Sequence, residues 1–466
     1  MYIVILGAGR VGYMLARQLI DEGKNVALIE SNKERAKNTT NNLDCLVLNA
    51  SGTNPATLKK AGIQKADAFV SVTNSDEVNM IACGMVANEF SKPITIARVR
   101  NVDYVGTKLL DKGILGIDYI INPDIEASQA ILRAVDHGAI SDVMQFENSK
   151  LEMRDLPLSR ESVFINRPLK VVRKDLDIDF LISVIIRDNA SIIPNGETIL
   201  LENDRVYLLS TEEVFEKIYT LEKLREKEIN RILVVGGGEV GLNIVEGLLP
   251  QEEAVSNILG RLKHILRINK RKKLHIIDKN YERTKILAEK FPQALVTCQD
   301  ITEEGVLEDE ELLKNDLIIS ATGNNELNII TGSYAKSMGI NKAISLVTKD
   351  SYRNLAHNLN LDVTISRNTT VVSSILKILR KGNIKNVYAL SGGKLEVIEF
   401  SVSETSNLIS KQLSEIKLPK NTLVILITRG VETIIPYGHL EVEENDHIAI
   451  ITERESIKKL EGLLSE

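Results

Sequence analysis

The sequence lacks the common motifs of enzyme active sites. Its 466 residues contain no C-x-x-C, H-E-x-x-H or G-x-S-x-G pattern and no Walker lysine motif. The six histidines share no repeated spacing and have no obvious acidic partner. A dehydrogenase needs a proton donor or acceptor beside its nicotinamide, usually His, Lys or Tyr near an acid. We therefore expect that the chain is not an enzyme.

Long apolar runs and cysteine pairs are also missing. No run reaches the eighteen or so apolar residues that cross a bilayer, and the N-terminus enters a strand with no basic region or cleavage site before it. We therefore expect a cytosolic chain without a membrane span. The three cysteines (Cys45, Cys83 and Cys298) lie far apart, which predicts reduced and buried thiols.

The sequence also lacks an excess of basic residues. The formal charge is -6, with 26% charged and 43% hydrophobic residues, as in a soluble globular protein. Binding to nucleic acid needs a basic face, so nucleic acid is not expected as a partner. The length predicts two to four domains rather than one core.

The first thirty residues contain a nucleotide-binding pattern. An apolar run at residues 2–6 leads into a glycine turn, a helical pattern follows, and a second apolar run ends on Glu30. The turn has the spacing G-x-G-x-x-G, with Gly7, Gly9 and Gly12. The first glycine permits a tight turn, the second lets the backbone approach a pyrophosphate, and the third lets helix and strand pack closely. The free N–H groups at the helix N-terminus then face the phosphates.

Glu30 closes this pattern at the end of the second apolar run. A carboxylate at that position accepts hydrogen bonds from ribose hydroxyls and repels a 2′-phosphate. The pattern therefore favours NAD(H) or an adenine nucleotide over NADP.

The second half of the sequence repeats the first. From Asn230 the chain has a second strand and glycine turn, and a later apolar run closes on Asp278. VTNSDEVN at residues 72–79 matches ATGNNELN at residues 321–328. The repeat predicts four domains in the order N1 (residues 1–138), C1 (139–224), N2 (225–382) and C2 (383–466).

The periodicity differs between the two kinds of domain. In N1 and N2 short apolar runs alternate with helical patterns, which predicts a Rossmann-like, doubly wound parallel sheet. In N1 the strands are expected at residues 2–6, 26–29, 45–48, 68–72, 94–99 and 119–121. In C1 and C2 the pattern has a period of two, which predicts a small β-rich α+β domain with a hairpin turn at Asp188 and Asn189. The fold class is therefore α/β with an internal duplication.

Candidate site residues follow the strands, because ligands bind beyond the carboxyl ends of a parallel sheet. In N1 they are Gly7, Gly9, Arg10, Val11, Gly12, Glu30, Ser51, Thr73, Asn74, Arg98 and Arg100. In N2 they are Gly236, Gly238, Glu239, Val240, Gly241, Asp278, Asp300 and Thr322. Hydroxyls and amides suit a base and a ribose, and arginine suits phosphate. The run from Thr73 to Asp76 also fits a helix N-cap, and both roles stay open.

The two halves differ after the fifth strand. Arg98 and Arg100 of N1 correspond to Val347 and Lys349 of N2. Because the two arginines stand at alternate positions, we expect at most one of them to touch a ligand. The difference predicts that N1 suits a triphosphate better and that N2 keeps the preference for a dinucleotide.

Two further segments lie outside this pattern. N2 has an insertion near residues 250–272 that carries basic and apolar residues at helical spacing. It fits either a solvated helix on the domain edge or a basic amphipathic helix that contacts a membrane or a partner. Gly138 and Gly382 match in the segments at 135–143 and 379–387, where each fits either a hinge or the end of a helix.

The duplicated order of domains, with ILGAGRVG, VTNSDEVNMIAC and IARVR in the first half, resembles the TrkA family. These proteins are peripheral subunits of the Trk potassium uptake system. The resemblance covers essentially the whole chain. It implies a cytoplasmic homo-oligomer, a dimer or tetrameric ring, held at the inner face of the cell membrane by a TrkH-like potassium-translocating partner. Nucleotide binding would change the shape of the ring and so gate the flux.

The resemblance also implies ligands for the candidate residues. It assigns NAD(H) to the glycine turns, to Glu30 and Asp278, and to the residues after the third and fourth strands, and it makes Arg98 and Arg100 candidates for the phosphates of ATP or ADP. The sequence departs from the family in two places. Ala50 and Ser51 replace the usual Gly-Asp pair in N1, and the basic insertion in N2 is not expected.

Two other functions fit the same fold. An NAD-dependent oxidoreductase would turn over a substrate, and the absorbance of its nicotinamide cofactor would change. A redox-sensing regulator of transcription would need a basic helix-turn-helix, and only the segment at 261–273 is basic enough to supply one.

Overall fold

The structure is a computed structural model of the chain. It describes residues 1–105, 115–136, 138, 144–146, 149–188, 190–222, 229–249, 272–349, 351–379, 384–390, 395–404, 406, 408–430, 432–453, 456–457 and 459–460.

N1 is built on a six-stranded sheet. Its strands are β1 (Tyr2–Leu6), β2 (Asn25–Glu30), β3 (Leu46–Asn49), β4 (Ala68–Ser71), β5 (Ile94–Arg98) and β6 (Tyr119–Ile121). Helices span Arg10–Asp21, Lys33–Asn42, Pro55–Lys60, Asp76–Glu89 and Val102–Val105, with a 3-10 helix at Ile63–Lys65. The strand order is β3-β2-β1-β4-β5-β6, and β1 to β5 pair in parallel. All six predicted strands are confirmed.

The local sequence explains where these elements begin. The central strands are apolar on both faces because helices cover both sides of the sheet, and Ile3, Val4 and Ile5 are fully buried. The side chains of Asn32, Asn54 and Ser75 cap the three helices that follow them. The helix Arg10–Asp21 follows Gly9 instead and has no side-chain cap. The N–H groups of its first turn therefore stay available to a ligand.

C1 is a five-stranded antiparallel sheet with two helices. Its strands are β7 (Met144–Gln145), β8 (Leu151–Pro157), β9 (Leu181–Arg187), β10 (Ala190–Ile192) and β11 (Arg205–Thr211), in the order β10-β9-β11-β8-β7. The helices are Leu169–Leu176 and Glu212–Leu221. β9 and β10 form the predicted hairpin, and Asp188 adopts φ +50° in its turn. Asn189 lies outside the described residues.

N2 repeats the topology of N1. Its strands are β12 (Arg231–Val235), β13 (Lys273–Asp278), β14 (Leu295–Cys298), β15 (Leu317–Ser320), β16 (Lys342–Val347) and β17 (Val363–Ser366), and all neighbouring pairs are parallel. Helices span Glu239–Leu248, Tyr281–Lys290, Glu310–Leu313, Asn325–Ser337 and Ser351–Asn358, with a 3-10 helix at Val306–Glu308. The order is β14-β13-β12-β15-β16-β17.

C2 repeats the topology of C1. Its strands are β18 (Ile384–Leu390), β19 (Leu395–Ser401), β20 (Thr422–Arg429), β21 (Glu432–Ile434) and β22 (His447–Glu453), with a 3-10 helix at Leu413–Glu415. The order is β18-β19-β22-β20-β21. The predicted fold class, two Rossmann-like domains each followed by a small β-rich domain, is confirmed.

The chain forms two compact units. The first contains Met1–Ile120, Asp142–Arg225 and Val372–Glu466, and within it Met153 and Tyr207 of C1 share one core with Val397 and Ile451 of C2. The positions of the predicted domain boundaries stay a prediction.

The second compact unit contains Ile121–Ser141 and Glu226–Val371. Its Pro123–Asp136 helix, here called the first crossover helix, follows N1 in the sequence but packs on the N2 helix Glu239–Leu248. The packing is tight, since a Cβ on Gly247 would lie 2.3 Å from Cδ1 of Leu132.

The first crossover helix ends at Asp136, and Gly138 follows with φ +72°, as a helix end at glycine requires. The described residues do not include Gly382 or residues 250–271 of the insertion. The hinge and the basic amphipathic helix therefore stay predictions.

The structure bears on the predictions that the thiols are buried and that the chain has no membrane span. Cys83 is buried, and burial raises the pKa of its thiol, but Cys298 is exposed, so the prediction of buried thiols was wrong there. Cys298 ends β14, an edge strand, which explains its access to solvent. Within the described ranges no helix is long and apolar enough to cross a bilayer.

Candidate nucleotide-binding sites

The glycine turns of N1 and N2 lie at the carboxyl edges of their sheets. The strand order reverses between β1 and β4 in N1 and between β12 and β15 in N2, which is where doubly wound sheets bind ligands. In N2 a cavity of about 590 Å³ opens at this edge, a volume that suits a small-molecule ligand. It is lined by Val235, Gly236, Gly238, Ile277, Asp278, Lys279, Asn280, Arg283, Gln299, Asp300, Ile301, Ala321, Thr322, Gly323, Asn324 and Leu327. The structure thus brings five of the predicted N2 residues together.

The first and third glycines of each turn have the steric roles that the sequence predicts. Gly7 and Gly236 adopt φ +102° and +108°, a backbone conformation that side chains with a Cβ rarely adopt. A Cβ on Gly12 would lie 1.9 Å from the carbonyl oxygen of Gly7, and a Cβ on Gly241 equally close to that of Gly236. The turn and the packing of the following helix therefore both require glycine.

The middle glycine of each turn faces open space. A Cβ on Gly9 or Gly238 would meet no atom within 4 Å, which leaves room for a pyrophosphate beside the helix N-terminus. Val11 and Val240, also predicted as site residues, are buried in the core, so only their backbone could contact a ligand. The exposed side chain at the start of each helix differs between the halves, Arg10 in N1 and Glu239 in N2.

The acids that close β2 and β13 brace the glycine turns. One carboxylate oxygen of Glu30 accepts a hydrogen bond from Ala8 N at 2.8 Å, and the other accepts one from Asn32 N at 2.8 Å. Asp278 accepts from Gly237 N at 2.7 Å and from Asn280 N at 2.8 Å. Each carboxylate oxygen keeps further lone pairs for a ribose hydroxyl. These acids therefore have a structural role that the sequence did not predict.

The residues after the third strand differ in charge. Ser51 Oγ contacts Thr53 Oγ1 at 3.0 Å, whereas the carboxylate of Asp300 accepts hydrogen bonds from the N–H and the hydroxyl of Thr302. These two bonds, with help from Lys279, hold the pKa of Asp300 below its usual value. N2 therefore has a second carboxylate at its cavity where N1 has a hydroxyl.

The turn after the fourth strand is built around a buried asparagine. Asn79 is fully buried, and its Oδ1 accepts hydrogen bonds from the N–H and hydroxyl of Thr73 and from the hydroxyl of Ser71. Asn328 accepts from the N–H and hydroxyl of Thr322 in the same way. Sequence reasoning missed both asparagines, although they stand at the same place in the matched VTNSDEVN and ATGNNELN segments.

The turn after the fourth strand also caps the helix that follows it, the second role that the sequence predicts. Ser75 and Asn324 cap the helices Asp76–Glu89 and Asn325–Ser337 by accepting from Val78 N and Leu327 N. Thr73 and Thr322 are not the caps themselves. The threonines thus stay candidates for ligand contact, while the residues two positions later cap the helix.

Both arginines of N1 reach the turn at Thr73 and Asn74. Arg98 Nη1 donates to the carbonyl oxygen of Thr73 at 3.2 Å, and Arg100 Nη2 donates to that of Asn74. The expectation that at most one of them touches a ligand misapplied strand alternation, because residues two positions apart point to the same face of a strand. In addition, β5 ends at Arg98, so Arg100 lies in the loop beyond it. Whether one or both touch a ligand stays a prediction.

The lining of the N2 cavity consists of groups that suit nucleotide binding. Its lining residues include no histidine, cysteine or tyrosine, and no group of three metal-ligating side chains occurs in the described part of the chain. Carboxylates, a glycine turn and a helix N-terminus together suit a nucleotide with ribose and pyrophosphate groups.

Family models match most of the chain. The TrkA-N domain matches residues 3–123 and again residues 232–367. The TrkA-C domain matches residues 153–223 and again residues 397–465. The matches repeat in the order of the two halves, as the internal repeat predicts.

Curated relatives match over the full length. The Trk system potassium uptake protein TrkA of Haemophilus influenzae is 30% identical over 471 residues, covering 99% of this chain and 98% of that protein. The protein of the same name from Vibrio alginolyticus is 28% identical, with the same coverage. Among solved structures, the GsuK RCK domain has a TM-score of 0.56 at 15% identity, and the GsuK channel bound to NAD has 0.56 at 16%. These structures cover this chain fully and are covered to 95% and 79%, and they support the fold. From the family models and the full-length relatives together, the chain belongs to the TrkA family of potassium uptake proteins.

Proposed function

We propose that this chain is a regulatory subunit of a potassium uptake system that binds NAD(H) and ATP or ADP and gates a membrane partner. The observation that carries the proposal is the duplicated site. Each half has a glycine turn, a bracing acid and an open helix N-terminus, and the lining of the N2 cavity contains no histidine, cysteine or tyrosine. A protein that binds nucleotides without turning them over suits a sensor.

The two sites are proposed to prefer different nucleotides. N2 has Asp278, Asp300 and Glu239 around its turn, which suits the riboses of a dinucleotide and disfavours extra phosphates. N1 has Arg10 in place of Glu239, and both of its strand-end arginines lie at one turn. We assign NAD(H) to N2 and ATP or ADP to N1.

Gating follows from a difference in affinity between two conformations. A nucleotide shifts a conformational equilibrium only by its differential affinity, about 1–3 kcal/mol for one coupled site. Closed homo-oligomers add such contributions from several subunits. We propose that the chain assembles as a dimer or a tetrameric ring at the inner face of the membrane, beneath a TrkH-like partner, with Gly138 and Gly382 as hinges. The names of the relatives, which describe a potassium uptake system, support this partner.

Equilibrium binding of NADH, NAD, ATP and ADP tests the assignment. Asp278→Asn and Glu30→Gln keep one acceptor oxygen, which serves one of the two backbone N–H groups, and replace the other oxygen by an NH2 group. Both variants also remove the charge that is proposed to hold a ribose. We expect Asp278→Asn to weaken NAD(H) binding about tenfold or more and to leave ATP binding intact. Glu30→Gln should weaken ATP and ADP binding only.

Matched controls come from acids at the opposite edge of each sheet. Asp67 accepts a hydrogen bond from Tyr2 N, and Asp316 accepts from Asn230 N and Arg231 N, far from the strand ends that form the sites. Asp67→Asn and Asp316→Asn should leave nucleotide binding unchanged. If Glu30→Gln and Asp278→Asn behave like these controls, the proposal fails, and a steady loss of NADH absorbance would favour an oxidoreductase instead.

A further inference from the structure

The backbone around the N1 arginines is held by two side chains of one helix. Asn79 and Asp76 lie in the first turn of the helix Asp76–Glu89. Asn79 is fully buried, and Asp76 is 8% exposed. Asn79 was not predicted as a site residue, and Asp76 was named only as the end of the run from Thr73. Neither reaches the glycine turn by any described hydrogen bond. Both instead contact the segment that carries the arginines.

Asn79 ties the end of β5 to the turn after β4. Its Nδ2 donates to the carbonyl oxygen of Arg98 at 2.8 Å and to that of Thr73 at 3.2 Å. The same carbonyl of Thr73 accepts the guanidinium of Arg98 at 3.2 Å. Asn79 therefore fixes both the backbone of Arg98 and the group that orients its side chain.

Asp76 holds the backbone of Arg100. One carboxylate oxygen accepts hydrogen bonds from Arg100 N and Asn101 N, each at 2.8 Å. The other lies 3.8 Å from Nε of Arg100 and is buried without a hydrogen bond. A buried carboxylate oxygen without a hydrogen bond is costly, and a guanidinium beside it offsets part of that cost.

N2 keeps these hydrogen bonds but makes them to Leu346 and Thr348, which therefore correspond to Arg98 and Arg100. The expected match of the two arginines with Val347 and Lys349 was wrong by one residue, since Ser71 pairs with Ala97 and Ser320 with Ser345. Asn325 corresponds to Asp76, and its Oδ1 accepts from Thr348 N at 2.9 Å while its Nδ2 donates to Thr348 Oγ1. Asn328 corresponds to Asn79, and it donates to the carbonyl oxygen of Leu346 at 2.8 Å. An asparagine can therefore accept the backbone hydrogen bonds that Asp76 accepts, because an amide oxygen is an acceptor as a carboxylate oxygen is.

We infer that Asp76 and Asn79 are positioning residues that set Arg98 and Arg100 for the outer phosphates of a nucleotide bound to N1. The inference rests on the proposed function of N1. Asp76 has a second effect, because its carboxylate stands beside the guanidinium that a phosphate must recruit. Binding of a triphosphate then exchanges one anion for another at Arg100.

The test compares Asp76→Asn with Asp76→Ala, and the readout is the ratio of ATP to AMP affinity, measured by calorimetry on the full-length protein. ATP and AMP share the adenosine and the first phosphate, so only the outer phosphates sense the arginines. Asp76→Ala loses the hold on the Arg100 backbone and should lower the ratio about tenfold. Asp76→Asn keeps the hold and removes the competing charge, so its ratio should equal or exceed the wild-type value.

Equal ratios in the two variants would overturn the inference, and so would an equal loss of ATP and AMP affinity in Asp76→Ala, which is the sign of a damaged domain. If the wild type binds neither nucleotide, the proposed function of N1 fails and this inference fails with it.

If Asp76→Ala does not fold, a gain-of-function variant of N2 tests the inferred positioning role instead. Thr348→Arg should raise the ATP to AMP ratio of N2 about tenfold, because Asn325 holds Thr348 N as Asp76 holds Arg100 N. The ratio is measured in a chain whose N1 site carries Glu30→Gln. Adding Asn325→Ala should abolish the gain, since the new arginine then loses its backbone anchor. A gain that persists without Asn325 would contradict the inference.

Discussion

The two nucleotide-binding domains share their glycine turns and bracing acids and differ in the charges around them. The bracing acids, Glu30 and Asp278, accept hydrogen bonds from corresponding N–H groups. The charges diverge after the first, third and fifth strands, where N1 has Arg10, Ser51, Arg98 and Arg100 and N2 has Glu239, Asp300, Leu346 and Thr348. Close steric contacts require glycine in the turns, whereas side chains at the carboxyl edge of the sheet face solvent and can differ in charge. Duplication has thus kept the glycine turns and their bracing acids and altered the charges around them, the difference on which the proposed nucleotide preferences rest.

The largest expected effect comes from the steric part. Gly12→Ala places a Cβ 1.9 Å from the carbonyl oxygen of Gly7, and Gly241→Ala does the same in N2. Overpacking of this severity costs about 3 kcal/mol or more, because the obstacle is backbone and cannot rotate away. We expect Gly12→Ala to abolish binding at N1 only and Gly241→Ala at N2 only, as seen by thermal unfolding and nucleotide titration.

The middle glycines are the control for this prediction. Gly9→Ala and Gly238→Ala meet no atom within 4 Å, so stability should change by less than about 1 kcal/mol. The added methyl group still occupies the space proposed for the pyrophosphate, so affinity should fall while the fold persists. Wild-type stability in Gly12→Ala would refute the argument.

The second expected effect concerns the residue after the first glycine of each turn. A Cβ on Gly237 would lie 2.5 Å from Cδ1 of Leu287, whereas N1 has Ala8 with Thr39 in place of the leucine. Gly237→Ala should therefore destabilise the chain by about 1–3 kcal/mol in urea unfolding. In the double variant with Leu287→Thr the two losses should not add, because the shorter side chain makes room. Strict additivity would show that Gly237 and Leu287 do not compete for space.

These contacts show what the sequence could and could not predict. The strands of N1 and the repeat followed from apolar runs and spacing, because both depend on neighbours in the chain. The bracing role of Glu30 and the buried hydrogen bonds of Asn79 depend on which N–H groups the folded sheet brings within about 3 Å. The contact of Arg100 with the turn at Asn74 was missed because Arg100 lies in the loop beyond β5, where the path of the backbone sets the direction of the side chain. The packing of the first crossover helix on N2 was likewise invisible in local patterns.

The third expected effect sharpens the comparison of charges. Ser51→Asp would give N1 the carboxylate that N2 has as Asp300. If that acid holds part of the adenosine, NADH affinity at N1 should rise up to about tenfold, the value of one hydrogen bond to a charged group. Titration in an Asp278→Asn background isolates N1, and Ser51→Asn is the neutral control. An equal rise in both variants would mean that charge is not the cause.

The smallest expected effect is a response to acid in N2. A hydrogen bond from the backbone N–H of Thr302, then one from its hydroxyl, lowers the pKa of Asp300 in the folded chain. A folded pKa below the unfolded value near 3.9 adds stability that is fully present above that value and is lost as the pH falls through the folded pKa. Between pH 7 and 5 the melting temperature should therefore be equally flat in the wild type and in Asp300→Asn. Below about pH 4 the wild type should lose stability faster than Asp300→Asn, because only the wild type must protonate this carboxylate. Superimposable profiles at low pH would show that the hydrogen bonds from Thr302 do not favour the charged form of Asp300.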